Sequence, residues 1–183
     1  MSQPTPSWSN PDLDRLRELC GVGASCAALA FEQLLGLEVE AGVSHVVFTE
    51  ETQTDERWRT AVLFETDGEL AGVIAILLTE SSRDAICALL LGEEAGGDLH
   101  AVESALREVG NIIASHTISA MADALGVRIL LSVPTLVMKD ASTILAERIR
   151  ERGAAICIAS PLHEAGGELD ARLVFFPESK PTA

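Results

Sequence analysis

Four polar residues stand out by type and spacing: Ser104, Glu108, Asn111 and Ser115. They step by four, three and four residues, so an α-helix carries them on one face. Val102, Leu106, Val109, Ile113 and Ala120 fall on the opposite face and are the candidate core. Glu108 and Asn111 sit on adjacent turns, with a carboxylate and an amide as neighbours. Neither is a good nucleophile, and no histidine or cysteine completes a nucleophile–base arrangement with them. His116 lies roughly a quarter turn off the stripe and reads as a boundary residue. No G-x4-G-K-[S/T] phosphate loop is present. Glutamate and asparagine on a solvated face are ordinary by themselves. Pro134, 23 residues after Asn111, extends the pattern to S-x3-E-x2-N-x22-P.

The elements that must hold this stripe follow from periodicity and breakers. A long helix is expected from Asp98, as N-cap, to Leu125, with Gly126 ending it. A strand over Val127 to Val137 is interrupted by Pro134, and a helix over Ala141 to Arg152 takes Asp140 as its cap. Paired strands follow at Ala154 to Ser160 and Leu169 to Phe176, around a loop from His163 to Gly167. In the first half, a helix opens at Asn10-Pro11 and ends at Leu35-Gly36, and Val39 to Phe48 reads as a strand. Thr49 to Arg59 reads as a loop. Thr60 to Thr66 and Glu69 to Leu78 form a hairpin around Asp67-Gly68. Ser81 to Leu91 is a short helix, followed by an acidic turn from Glu93 to Gly97.

The two halves repeat. With Asp14 to Val47 set beneath Ser104 to Val137, ten of 34 positions are identical without a gap, and both helices end in Leu-Gly before a strand. Duplication explains this better than two amphipathic helices that happen to look alike. The expected organisation is a flexible N-terminus over 1–10, one domain over 11–177 and a tail over 178–183. The domain divides into a first repeat over about 11–92 and a second over about 98–177. The fold class is α+β: a pseudo-twofold domain with a mostly antiparallel sheet backed by two long helices.

Composition narrows the function. The 183 residues carry 28 acidic against 13 basic side chains, a formal charge of −15. That opposes nucleic acid and anionic membrane as partners. Apolar residues make up 48 %, enough for a sizeable core. Four cysteines (Cys20, Cys26, Cys87, Cys157) show no C-x-x-C pattern and read as buried thiols. No histidine or carboxylate spacing suggests a metal site, so a metal-dependent hydrolase lacks ligands. Met1 to Asn10 has two prolines and no apolar run, and runs such as Leu70 to Leu78 are too short to span a bilayer. The expected location is the cytoplasm.

With Ser104, Glu108, Asn111 and Pro134 in place, the sequence resembles the CheC/CheX/FliY family of phosphatases acting on the chemotaxis response regulator CheY. The family pattern is [Asp/Ser]-x3-Glu-x2-Asn-x22-Pro, and the surrounding E-V-G-N-I-I-A-S is in the same style. The resemblance covers about residues 11 to 177 and is greatest to stand-alone CheC, since FliY carries a further carboxy-terminal domain. The first repeat keeps Asp14 and Glu18 but has Gly21 in the asparagine position and Ser44 in the proline position. It is a degenerate site, which leaves Glu18 for docking at most. Close packing between the helices is one expected reason for Gly21.

The resemblance implies a protein aspartyl-phosphate phosphatase with no cofactor of its own. The phosphorylated receiver domain supplies the acyl phosphate, Mg²⁺ and a lysine. Asn111 then orients the attacking water, and Glu108 pairs with the receiver's lysine. Ser104 caps or tunes Glu108, and Pro134 is architectural, stopping strand pairing beside the site. CheD is a further partner implied by the family, through the helix over Ala141 to Arg152. The alternative is a non-catalytic binding or adaptor module for a phosphorylated receiver, CheD or a motor complex.

Overall fold

The computed structural model describes residues 8–49, 55–92 and 97–178. Helix α1 (Asn10–Leu35) is capped one residue before the expected Asn10. The Ser9 hydroxyl accepts from the Asp12 amide, and the Asp12 carboxylate accepts from the Ser9 amide. This reciprocal pairing satisfies amides that the first turn cannot, and is worth about 1 kcal/mol. Helix α3 (Leu99–Leu125) has the expected bounds, from the Asp98 cap to Gly126. Gly36 and Gly126 end α1 and α3 at φ 67° and 66°, left-handed backbone that favours glycine.

Strands β1 (Val39–Ala41) and β2 (His45–Phe48) replace the single strand expected over Val39 to Phe48. After α3, β5 (Ile129–Leu131) and β6 (Thr135–Val137) are divided in the same way. The four long strands are β3 (Thr60–Gly68), β4 (Gly72–Leu78), β7 (Ile156–Glu164) and β8 (Asp170–Pro177). Helix α2 (Glu80–Leu91) follows β4, and α4 (Ala141–Arg152) precedes β7. The sheet runs β1-β7-β8-β4-β3-β5, with β2 also on β7 and β6 also on β3. All pairs are antiparallel. The order reads alike from either edge: divided edge strands, then β7 or β3, then β8 and β4 meeting at the centre with Ala75 opposite Val174. This is the α+β, pseudo-twofold architecture expected from the duplicated helices.

Each division of an edge strand is a β-bulge. Ala41 lies opposite Leu162 and His45 opposite Ala159, so four steps on the edge face three on β7. Leu131 opposite Thr66 and Thr135 opposite Leu63 repeat that mismatch on β3. One extra residue per edge strand bends the chain away from the ladder.

The expected hairpin turn is displaced. Asp67 and Gly68 remain in β3, paired with Leu130 and Ile129, and the chain turns over 69–71. Gly68 is needed for the approach of the neighbouring strand. It has φ 101°, and a Cβ there would lie 2.6 Å from the Arg128 carbonyl oxygen. Of the acidic turn expected over 93–97, residues 93–96 lie outside the described residues, as do 50–54 of the loop before β3.

Strand β4 reads as an unbroken apolar run because both its faces are buried. Ile74, Ile76 and Leu78 join the core under α1 and α3, while Val73, Ala75 and Leu77 face α4 and Trp58. Helices α1 and α3 approach closely at Gly23, where a Cβ would lie 2.9 Å from the Thr117 side chain. Among the described residues, α1 is the helix long and apolar enough to cross a membrane, and half of that apolar window is buried within the protein. The position expected to cap α4, Asp140, has φ 56° and makes no side-chain capping bond. Instead Arg152, at the far end of α4, pairs with Glu65 and Glu178.

Candidate functional site

Helix α3 presents Ser104, Glu108, Asn111 and Ser115 to solvent. Val102, Leu106, Val109 and Ile113 are buried beneath, and Ala120, expected with them, is half-buried. Gly110, Ala114, Thr117, Ile118 and Met121 complete the buried face. Gly110 costs about 1 kcal/mol of helix stability relative to alanine. Its place is set by β3: a Cβ there would lie 2.5 Å from Val62 Cγ1. The helix is therefore pressed onto the sheet at the residue before Asn111. The glycine inside E-V-G-N was the sequence signal for this contact.

The second bulge, Ser132 to Pro134, closes the site from the side. The Ser132 amide donates to the Glu65 carbonyl at 2.9 Å. The Glu65 amide donates to the Ser132 hydroxyl at 2.9 Å. Arg107, one residue before Glu108, donates through Nη1 to the Pro134 carbonyl at 3.3 Å. Between these anchors Val133 is 83 % exposed. The side chains of Glu108 and Asn111 have no hydrogen-bond or ion-pair partner among the described residues, so both head groups are available to a binding partner. No side-chain hydrogen bond joins Ser104 to Glu108, which leaves the expected capping role without a contact. His116 is exposed rather than at the boundary. Sequence reasoning did not single out Arg107, Gly110 or Val133.

The first repeat builds the same frame with different contents. Asp14 and Glu18 are exposed on α1, and Gly21 is half-buried. A Cβ on Gly21 would meet only the Ser44 hydroxyl, at 3.8 Å, so helix packing does not require this glycine. The close approach expected of Gly21 belongs to Gly23. Arg17 stays on its own helix, 3.3 Å from Asp14. Ser44 is buried, its hydroxyl 2.7 Å from that of Ser160. The bulge around Ser44 forms without a proline, so a break of this kind does not require one everywhere. At its tip Val43 is 72 % exposed.

Other chemistry is sparsely provided for. Cys20, Cys87 and Cys157 are buried, while Cys26 is only half-buried. Burial pushes the Cys20 and Cys157 thiols up to about 12, so neither is a thiolate at neutral pH. Among the described residues, no three His, Cys, Asp or Glu side chains come together as metal ligands. A cavity between α2 and the start of α3, lined by Arg83, Asp84, Cys87, Val102 and Met138, includes none of the stripe.

The sequence profile of the CheC-like family matches residues 102–138, which span the stripe from Ser104 onward and Pro134. The chain is similar to CheC1 of Halobacterium salinarum, provisionally named a CheY-P phosphatase, with 26 % identity over 91 % of this chain and 90 % of that one. It is 25 % identical to the CheY-P phosphatase CheC of Bacillus subtilis, over 76 % of this chain and 72 % of that one. The fold is shared with the chemotaxis protein CheX of Desulfovibrio desulfuricans, at TM-score 0.68 and 16 % identity, covering 88 % of this chain and 99 % of that one. It is also shared with CheX in a CheX–CheY–BeF3–Mg²⁺ complex from Borrelia burgdorferi, at TM-score 0.63 and 17 % identity, covering 85 % and 95 %. Together these matches support the CheC/CheX/FliY family.

Proposed function

We propose that the α3 face accelerates hydrolysis of the aspartyl phosphate on a CheY-like response regulator. The observation that carries this reading is the unpartnered pair of Glu108 and Asn111, exposed on adjacent turns beside an anchored bulge. The names of the CheC relatives and the CheX–CheY complex support the substrate class.

Two side chains suffice when the substrate brings most of the machinery. An acyl phosphate with its Mg²⁺ is already labile, and what hydrolysis lacks is a water held in line with phosphorus. The Asn111 carbonyl accepts from that water while its NH₂ donates to a neighbouring oxygen. Glu108 forms an ion pair with the receiver's lysine and sets the helix in register. A carboxylate beside phosphoryl oxygens needs a cation between them, which makes the lysine its fitting partner. That local pair also lets a chain of charge −15 approach a receiver's acidic pocket. The reaction belongs in the cytoplasm, where the phosphorylated receiver is. Contact of α4 with CheD rests on the family resemblance.

The second reading is a binding or adaptor module, favoured by the first face, where Gly21 offers no amide. Mixing purified protein with a phosphorylated receiver and Mg²⁺, then following free phosphate, separates the two. The proposed function predicts faster release that scales with protein concentration. Complex formation with unchanged phosphate lifetime would establish the adaptor instead.

A further inference from the structure

We infer that Arg107 is a positioning residue of the α3 face, latching the Val133–Pro134 tip to the helix, and that residue 104 decides whether this latch closes. The inference rests on the proposed function for its kinetic consequence, and on the two repeats for its structural basis.

Arg17 and Arg107 occupy equivalent positions in the duplicated helices. Each could reach across to the bulge that follows its own helix, and only one does. Arg17 has an aspartate three residues before it, and the pair closes on the helix surface at 3.3 Å. Residues three apart are neighbours on a helix, so this capture is local and needs no other element. In the second repeat the equivalent of Asp14 is Ser104, which carries no charge to hold the guanidinium. Arg107 extends instead to the Pro134 carbonyl, at 3.3 Å. The other end of the bulge is tied to β3 through Ser132 and Glu65. With both ends held, Val133 stands as a fixed apolar contact, 83 % exposed, on the tip that Arg107 holds to α3 one turn before Asn111. A docked receiver that meets this tip and Glu108 together has fewer ways to sit, and the Asn111 amide meets phosphorus in one of them.

The test is a double-mutant cycle on stimulated phosphate release from a phosphorylated receiver with Mg²⁺, with amide exchange of Ser132 as an independent readout. Arg107→Ala should lower kcat about threefold to tenfold, as expected for loss of one solvent-exposed hydrogen bond, with a smaller change in KM. Arg107→Lys should recover part of that loss. Ser104→Asp should capture Arg107 as Asp14 captures Arg17, lower kcat by a similar factor and speed exchange at Ser132. In the Arg107→Ala background, Ser104→Asp should cost nothing further. An equal loss from Ser104→Asp with or without Arg107 would mean that the added charge acts directly on the receiver, and would overturn the latch. So would unchanged exchange at Ser132 in Arg107→Ala. If the unaltered protein releases no phosphate, the proposed function fails, and the exchange measurement still decides whether the latch exists.

Discussion

On the α1 face, the bulge residue Ser44 is buried with its hydroxyl against Ser160, and Arg17 is held by Asp14 on its own helix. On the α3 face, the equivalent Pro134 offers its carbonyl to Arg107, and Ser132 is pinned to Glu65. The two frames otherwise correspond, with the same helix-ending glycines, the same one-residue bulges and an exposed valine at each tip. Backbone architecture is therefore not what separates the proposed site from the face on α1. Under the proposed function, an asparagine where the other has glycine, and a turn tied to the helix where the other is not, account for the difference.

Glu108 and Glu18 should separate the two faces by activity. Glu108→Ala should lower stimulated phosphate release by about tenfold or more, through the lost ion pair with the receiver's lysine. Glu18→Ala should leave it within about twofold, as expected for an exposed charge. Comparable losses from the two variants would make both faces productive.

The glycines come next. Gly110→Ala should destabilise the fold by about 1–3 kcal/mol, because β3 leaves no space for a methyl group. Gly21→Ala should stabilise it by about 0.5–1 kcal/mol, because there is room and glycine is a poor helix former. Chemical denaturation of both variants reads the contrast directly.

Grafting sharpens it further. Gly21→Asn, placed in an Asn111→Ala background, should restore only a small part of the activity, since Arg17 remains held by Asp14. Adding Asp14→Ser and Ser44→Pro should raise the recovery by about threefold to tenfold, the same factor assigned to the Arg107 latch. No gain from these two changes would show that the tip plays no part.

The smallest expected effect concerns the opposite face of the sheet, where α4 of the second repeat packs beside the segment before β3 of the first. Trp58 is buried there, with the Arg57 and Arg172 guanidinium groups 5.4 and 4.9 Å from its ring centre. Side-chain hydrogen bonds from Arg57 hold the Asp55 carboxyl below the ordinary aspartate value of 3.8. A lowered folded-state value contributes stability that is present above the unfolded value and lost as pH falls through the folded one. Trp58 emission, followed in a Trp8→Phe variant, should hold steady down to about pH 4 and change below it. A transition centred above pH 5 would exclude Asp55 as its cause.

Much of this was legible in the sequence because helical periodicity is local. The spacing of Ser104, Glu108 and Asn111 placed them on one exposed face, and Gly36 and Gly126 marked both helix ends. What failed depended on partners distant in the chain. Asp67-Gly68 looked like a hairpin turn, but β5 pairs across it and moves the turn to 69–71. Gly21 looked like a packing glycine, while the close helix contact is at Gly23, two residues on. Pro134 looked like the cause of the strand break, yet Ser44 occupies a bulge of the same kind. The reach of Arg107 depends on the absence of an acidic residue three positions earlier, a signal visible only when the two repeats are set side by side.

Under the proposed function, one asparagine on α3 makes this chain a phosphatase. The most direct test is the time course of phosphate loss from a phosphorylated CheY-like receiver in Mg²⁺, with the unaltered protein or with Asn111→Ala, alongside a binding measurement. Asn111→Ala should retain most of the binding and lose about a hundredfold or more of the acceleration. Acceleration undiminished by Asn111→Ala would contradict the proposed function.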